Sequence, residues 1–408
     1  MKLRLFLYAA AAVLLILGAS ALFLADRIER ANLVSTLFSG AEQLEAFPRF
    51  HKIFPVTEMP PSPIPRPFAK ADVQVGLPER FIHKDQSFET LAFLELTDTV
   101  ALLVLKDGVI IHEQYRATGG PDVQWLSMSV AKSFISALIG IAVKEGHIAS
   151  IEQPVTAYVP SLKGSAYEGV RIKDILQMSS GAAWDEDYNE PDSDINRFAR
   201  IFALGGSMNQ FAATLTRDTE PGTYNRYNST DTQVLGMLLT QATKRTITDY
   251  MIEKLYHPMG AENIGYWLTD SENMEMAFAG LNLTARDYAK LGELYRNQGR
   301  LDDRQIVPAE WIAASVRADA PHLMPGENNP LSYYYPWGYG YQWWLPRADR
   351  SDYAAVGVYN QFIYVSPNSN MTIVKLSANS GYGAAPNGAT DYELETIDLM
   401  RAITDANR

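Results

Sequence analysis

Apolar and polar positions follow patterns that predict the secondary structure of most of the chain. The apolar runs 99–105 and 109–111 flank Lys106-Asp107-Gly108, which predicts two strands joined by a tight turn. Residues 130–145 carry apolar side chains at helical spacing and precede Gly146, which predicts a helix and its end. Further helices are predicted over 232–244 and 285–297, and further strands over 339–345, 362–365 and 371–376.

The order of these elements predicts the fold class. Strands near both ends of the chain enclose a block of mainly helical patterns at residues 150–290. This order is typical of an α/β (α+β) fold with an antiparallel sheet that is built from both ends of the chain and flanked by helices. The helical block is then a lobe inserted into a single domain that spans residues 81–408.

The first 25 residues have the pattern of a membrane helix. Lys2 and Arg4 precede an uncharged run over residues 5–25, and a bilayer-spanning helix needs roughly 20 apolar residues. With the basic residues on the inner side, the rest of the chain would be exported. We therefore expect an anchor in the bacterial inner membrane, with the domain in the periplasm or outside. The alternative is a signal peptide cleaved near Ala19-Ser20-Ala21 and a secreted domain.

Residues 26–80 form a separate region between this run and the domain. The stretch 54–68 contains prolines at positions 55, 60, 61, 63, 65 and 67. Proline lacks the backbone N–H that helices and central strands require. Residues 26–80 are therefore expected to be a membrane-proximal arm, in which the stretch 54–68 is an extended spacer or a strap laid over the surface.

The composition of the 408 residues narrows the classes of function. Hydrophobic residues make up 47% and charged residues 20%, which is typical of a chain with a large core and excludes a mostly disordered protein. Lys plus Arg number 35 against 47 for Asp plus Glu, so the net charge is −12, and no basic stripe for nucleic acid is present. Cysteine is absent and the six histidines lack metal-ligand spacing. We expect neither a metal nor a cofactor.

The pattern that indicates chemistry is Ser129-Val130-Ala131-Lys132, which places a hydroxyl and an amine one turn apart on a helix. A serine becomes a nucleophile when a base takes its proton, and a buried lysine with a lowered pKa can be that base. Ser129 is the only serine three residues before a lysine. The spacing alone also fits a solvated pair, but the apolar helix that follows favours burial. The chain has no Gly-x-Ser-x-Gly segment, which disfavours an α/β-hydrolase.

At these residues the sequence resembles the serine beta-lactamase and penicillin-binding-protein superfamily, whose catalytic helix opens with Ser-x-x-Lys. Further segments are similar to its class C-like branch, which includes esterases, D-amino-acid peptidases and 6-aminohexanoate-dimer hydrolases. These segments are 172–181, 221–229 with Pro-Gly-Thr and Tyr227-Asn228-Ser229, and 279–287. The resemblance covers residues 85–385.

The resemblance implies roles for three side chains. Ser129 would attack a carbonyl and form an acyl-enzyme, and Lys132 would lower the proton affinity of Ser129 as its proton-transfer partner. Tyr227 would relay a proton to the leaving group and later help to activate water. Without this context, Tyr227 would be read as a packed aromatic, and a tyrosine with a pKa near 10 needs the positive charge of Lys132 close by to act as a base.

The resemblance also implies an oxyanion hole made by the backbone N–H groups of Ser129 and Val358. Relatives active on lactams have a Lys-Thr-Gly triplet on this strand, and its cation and hydroxyl are missing here. Backbone N–H donors need no particular side chain, so the oxyanion hole can form without the Lys-Thr-Gly triplet. Arg347 and Arg350 lie upstream and could replace the cation, but are more typical of solvated residues.

Substrate contacts are expected from Tyr188, Ser229 and Gly357, although Ser229 stands where many relatives have asparagine. The sequence thus predicts a serine hydrolase that cleaves an amide or ester of a small molecule. One alternative is a catalytically silent module that binds cell-wall fragments or a partner protein. The other is a true beta-lactamase or D-Ala peptidase, which the missing triplet disfavours.

Overall fold

The computed structural model describes residues 2–35, 42–326, 329–330, 332, 336–347, 350–385 and 389–408. The strands in these residues are β1 (Val56–Met59), β2 (Ala69–Lys70), β3 (Arg80–His83), β4 (Gln86–Glu89), β5 (Thr99–Lys106), β6 (Val109–Tyr115), β7 (Trp125–Leu126), β8 (Gly265–Leu268), β9 (Leu281–Leu283), β10 (Arg300–Leu301), β11 (Arg304–Gln305), β12 (Gly338–Tyr339), β13 (Trp344–Leu345), β14 (Tyr353–Gly357), β15 (Gln361–Ser366) and β16 (Met371–Ser377). The helices are α1 (Lys2–Ser35), α2 (Gln43–Ala46), α3 (Phe50–Ile53), α4 (Thr90–Leu96), α5 (Ala131–Lys144), α6 (Ile172–Leu176), α7 (Asp194–Ala203), α8 (Met208–Ala212), α9 (Ser229–Thr243), α10 (Ile247–Met251), α11 (Ala285–Arg296), α12 (Ala309–Ser315) and α13 (Glu393–Ala406).

The main sheet joins strands from the two ends of the chain, in the order β12-β13-β14-β15-β16-β5-β6-β2. Its neighbours are antiparallel, apart from the parallel pair β2 and β6. The junction is the pairing of β16 with β5, in which Met371 lies opposite Lys106. The predicted fold class, a mixed α/β structure with an antiparallel sheet built from both ends, is confirmed.

Both faces of this sheet are covered by helices. Along β16, Ile373 belongs to one buried cluster and Val374 to the other, because successive side chains point to opposite faces. Helices α5, α9 and α11 pack on the Val374 side, whereas α4 and α13 pack on the Ile373 side. From Ala131 to Ala142 every residue of α5 is buried, so this part of the helix is enclosed by protein on all sides.

The local predictions mostly hold. Asp107 and Gly108 have φ values of 52° and 78° in the turn between β5 and β6, the conformation that an Asp-Gly hairpin turn needs. The single strand predicted over 339–345 was wrong. It is a hairpin of β12 and β13, because the chain reverses around Gln342, which has a φ of 61°.

A second, smaller sheet has the order β1-β8-β9-β7. Strands β8 and β9 lie within residues 150–290, so the region predicted to be mainly helical also supplies strands to this sheet. Its last strand, β7, leads directly into the segment that contains Ser129.

The membrane prediction was wrong. Residues 2–35 do form a helix, α1, but no helix in the part of the chain described here is both long and apolar enough to cross a bilayer. The prediction counted residues 5–25 as an isolated run, whereas α1 continues through Arg27, Glu29 and Arg30 to Ser35 and packs against α7. The predicted location in an inner membrane depended on this anchor and is therefore also wrong.

Candidate active site

The backbone turns sharply before Ser129, between the second sheet and helix α5. The N–H of Ser127 donates to the carbonyl of Leu281 at 2.7 Å. Met128 then has a φ of 46°, a left-handed value that is costly for a residue with a side chain. Ser129 follows in the 3-10 turn Met128–Val130 and is 8% exposed. The sheet pairing and the strained turn therefore hold the Ser129 hydroxyl in place.

Lys132 lies one turn further along and is buried. Its Nζ donates to Ser129 Oγ at 2.8 Å, to Ser229 Oγ at 3.2 Å and to the Phe278 carbonyl at 3.0 Å. Burial lowers the pKa of Lys132 to about 7, because the charged form loses its hydration, and the negative charge of Glu186 opposes this shift. Near neutral pH the amine can therefore exist both with and without its proton.

Tyr227 lies beside this lysine. The centre of its ring is 5.0 Å from Lys132 Nζ, and the ring stacks on Trp344 at 5.3 Å. The next residue, Asn228, caps helix α9 by accepting a hydrogen bond from the Thr230 N–H at 2.8 Å. The cap and the stacking position Tyr227 next to the Ser129–Lys132 pair.

Glu186 is a member of the site that the sequence reasoning missed. Its carboxylate accepts hydrogen bonds from the Ser229 hydroxyl at 2.6 Å, the Ser229 N–H at 3.1 Å, the Tyr188 hydroxyl at 2.8 Å and the Trp184 indole. Burial raises its pKa, and the charge of Lys132 and the donated hydrogen bonds oppose that rise. The signal was available in the spacing: Trp184, Glu186 and Tyr188 alternate with exposed Asp185 and Asp187, so they share one face of an extended segment.

Ser229 connects this carboxylate to the lysine. Its hydroxyl donates to Glu186 and accepts from Lys132, so a continuous chain runs from Glu186 through Ser229 and Lys132 to Ser129. The sequence suggested a substrate contact for Ser229. The structure places it between the two charged groups, where it can orient the amine and transmit the effect of the carboxylate.

Gly357, at the end of β14, lies against the turn that carries Ser129. A Cβ atom at Gly357 would be 2.9 Å from Ser129 N and 2.8 Å from the Ser127 carbonyl oxygen. Val358 follows Gly357 and lines the same cleft as Ser129. The absence of a side chain at Gly357 thus lets the end of the strand approach the amide of Ser129 closely.

The cleft in front of Ser129 has a volume of about 80 Å³. Tyr188 lines it, and its ring also makes an edge contact with Tyr382 at 6.4 Å between centres. Arg350 forms an ion pair with Asp405, and Arg347 lines a different cavity. Neither arginine is part of the cleft wall in the described residues, and those residues contain no group of three His, Asp or Glu side chains that could hold a metal.

Comparison with known proteins gives consistent matches along most of the chain. The sequence matches the family described as Beta-lactamase over residues 94–396. It is 29% identical over 293 residues to the 6-aminohexanoate-dimer hydrolase of Paenarthrobacter ureafaciens, which covers 70% of this chain and 74% of that protein.

Solved structures show the same fold. A Bacillus anthracis protein named after the same activity has a TM-score of 0.78 at 20% identity, over 91% of this chain and 97% of its own. A family VIII carboxylesterase has a TM-score of 0.55 at 16% identity, over 76% of this chain and 92% of its own. At these identities the structural matches support the fold alone.

Proposed function

Because the chain belongs to the beta-lactamase family, we propose that it is a serine hydrolase that cleaves an ester or amide through an acyl-enzyme on Ser129. The observation that carries the proposal is the 2.8 Å hydrogen bond between buried Lys132 and Ser129. Burial lowers the pKa of this lysine to about 7, so that it can act as a base near neutral pH. A binding module has no physical need of such a pair. The curated relative's hydrolase activity supports the same class of reaction.

In acylation, neutral Lys132 takes the proton of Ser129 while Oγ attacks the substrate carbonyl. The N–H groups of Ser129 and Val358 donate to the oxyanion that forms. Tyr227 gives its phenolic proton to the departing oxygen or nitrogen, and the proton that Lys132 took from Ser129 replaces it on the phenol oxygen. The alcohol or amine thus leaves with one proton, and Lys132 and Tyr227 return to their starting states. Water then attacks the acyl-enzyme, and the same groups return a proton to Ser129 and release the acid.

The wall of the cleft disfavours beta-lactams and D-Ala peptides as main substrates. Both carry a carboxylate, whose binding requires a cation or several strong donors. No lysine or arginine lines the cleft in the residues that the structure describes. We therefore favour uncharged esters and amides.

A fluorophosphonate probe tests this proposal directly, because it reacts covalently with an activated serine. The full chain is treated with the probe and digested, and the labelled peptide is identified by mass spectrometry, with Ser129→Ala as the matched control. We expect labelling at Ser129 and turnover of p-nitrophenyl acetate, with both lost in the control. A folded protein that shows neither would support the silent binding module, and labelling of another serine would mean that the site is misplaced.

The oxyanion hole gives a second prediction. Gly357→Ala should lower kcat/KM by about 10²–10³-fold, because the new methyl group would displace the Ser129 amide from its oxyanion-binding position. The matched control is Gly76→Ala, since a Cβ at Gly76 has no atom within 4 Å. Equal kcat/KM values for the two variants would contradict the assignment, and melting curves check that both variants are folded.

A further inference from the structure

The wall of the active-site cleft is apolar. Side chains that form it include Leu126, Ile195, Phe202 and Phe278. Its polar groups are the hydroxyls of Ser129, Ser229 and Tyr188, and the last two already donate to Glu186. No charged side chain lines the cleft within the described parts of the chain. A charged substrate group placed there would lose its hydration without gaining a partner.

Part of this wall comes from outside the family domain. Val34 and Phe50 line the cleft, yet both precede residue 94, where the match to the family begins. Phe50 is 4% exposed and stacks on Phe54 at 5.4 Å, and Phe54 in turn stacks on Phe202 at 4.9 Å. The ring of Phe50 is therefore connected through Phe54 to Phe202 in helix α7, which also lines the cleft.

The same arm is attached to the catalytic turn. Phe47 is fully buried, and its ring meets Trp125 at 5.6 Å and Tyr359 at 5.0 Å in edge contacts. Trp125 lies in the strand that precedes Ser129, and Tyr359 follows Val358. Because these contacts tie the arm to both halves of the oxyanion site, its position relative to the scissile carbonyl is set by packing.

We propose that Phe50, together with Val34, closes the acyl pocket and selects esters or amides of apolar, uncharged acids, an inference that rests on the proposed acylation of Ser129. The pocket is assigned to the acyl group because Ser129 and Val358, which flank the carbonyl, both line it. Tyr227, which protonates the leaving group, is not part of its described wall and stacks on Trp344. The leaving group therefore lies on the Tyr227 side.

Two ester series test the class of acyl group on the full chain. With p-nitrophenol as the constant leaving group, kcat/KM should rise by about fourfold for each methylene added beyond acetate until the pocket is full. The sharper comparison is heptanoate against 6-aminohexanoate, which has the same length but ends in an ammonium group. We expect heptanoate to be favoured by about 30-fold or more.

Variants at Phe50 test the role of the arm. Phe50→Ala should move the preferred acyl length upward and Phe50→Trp should move it downward, so the octanoate-to-acetate ratio of kcat/KM changes in opposite directions. Ile64→Ala is the control, because Ile64 belongs to the same region but is 73% exposed, and its ratio should equal that of the unmodified chain. Destabilisation would not shift the length preference in opposite directions in the two variants, so opposite shifts indicate a change in the size of the pocket. Fluorophosphonate labelling verifies that the active site of each variant is intact.

The outcomes separate this inference from the proposed function. If Ser129 is not labelled in the unmodified chain, the proposed function fails and the inference falls with it. If Ser129 is labelled but the aminohexanoate ester is preferred, or both Phe50 variants keep the original length profile, the inference alone is overturned. The assignment to the acyl group would also be overturned if the Phe50 variants changed the preferred length of the alcohol, with the acyl group held constant, and left the preferred length of the acyl group unchanged.

Discussion

Replacing Lys132 by methionine should lower kcat/KM for ester hydrolysis by about 10³–10⁴-fold, because Ser129 then has no base within hydrogen-bond reach. Methionine keeps most of the side-chain volume but cannot accept the proton of Ser129 Oγ, which lies 2.8 Å from Nζ in the structure. The measurement is steady-state turnover of p-nitrophenyl acetate together with the rate of fluorophosphonate labelling. Both rates should fall together, since both depend on the same nucleophile.

The pH profile of the unmodified enzyme carries a second signature of this lysine. Burial lowers the pKa of Lys132 to about 7, and only the neutral amine can act as the base. We therefore expect kcat/KM to be low at pH 5 to 6, to reach half of its maximum near pH 7 and to level off above that value. A lysine with the ordinary pKa near 10.5 would instead give a rate that still rises at pH 9.

Glu186→Gln tests whether the carboxylate of Glu186 contributes to this pH profile. The carboxylate of Glu186 raises the pKa of Lys132 against the larger effect of burial. Its neutralisation should move the half-maximal pH downward, while glutamine can still accept the hydrogen bond of the Ser229 hydroxyl. An unchanged midpoint would contradict the chain from Glu186 through Ser229 to Lys132.

Stability provides a check that the loss of activity in Lys132→Met is not caused by unfolding. The folded pKa of Lys132 lies below its unfolded value, so charging the buried amine opposes folding. This penalty is fully present below pH 7 and disappears as the pH rises toward 10.5. Methionine also removes the hydrogen bonds that Nζ donates to Ser229 and Phe278, which lowers the melting temperature at either pH. The melting temperature of the variant relative to that of the unmodified chain should therefore be higher at pH 7 than at pH 9. A difference in melting temperature that is the same at pH 7 and pH 9 would contradict the depressed pKa.

Local patterns were sufficient to predict the parts of the fold that depend on neighbours in sequence. Asp107-Gly108 indicated its turn, and the apolar run after Lys132 indicated helix α5, because turn chemistry and helical period act over a few residues. The segment 339–345 was misread as one strand because an aromatic-rich hairpin with a positive φ at Gln342 has the same composition as a strand. The N-terminal run was misread because a hydropathy count over 5–25 ignores where the helix continues and what it packs against.

The same distinction between contacts that are local in sequence and contacts that depend on the fold applies to the candidate active site. Ser129 and Lys132 are three residues apart, so a helix alone brings them together. Glu186 reaches Lys132 only through Ser229, more than 40 residues further along the chain, and that contact depends on how the lobe folds back on α5. The alternation of Trp184, Glu186 and Tyr188 with Asp185 and Asp187 separates Glu186 from its acidic neighbours, but this spacing does not indicate which residues the carboxylate contacts.

Tyr227→Phe should separate the two halves of the proposed mechanism, because phenylalanine preserves the stacking on Trp344 and removes only the hydroxyl. An amide nitrogen must be protonated to leave, whereas p-nitrophenolate leaves without a proton. We therefore expect acylation by a p-nitroanilide to fall by about 10²–10⁴-fold and acylation by the matching p-nitrophenyl ester to fall far less. Single-turnover rates on the two substrates measure this ratio without interference from deacylation.

The matched control for Tyr227→Phe is Tyr339→Phe, since Tyr339 is a buried tyrosine in the same aromatic cluster, with its ring 6.3 Å from that of Tyr227. Loss of its hydroxyl perturbs the same packing, so it should slow both substrates equally and only slightly. An equal loss on anilide and ester in Tyr227→Phe would show that the hydroxyl does not serve the leaving group. Tyr227 would then have a structural role only. The leaving group would have to take its proton directly from Lys132, whose Nζ donates to both Ser129 and Ser229.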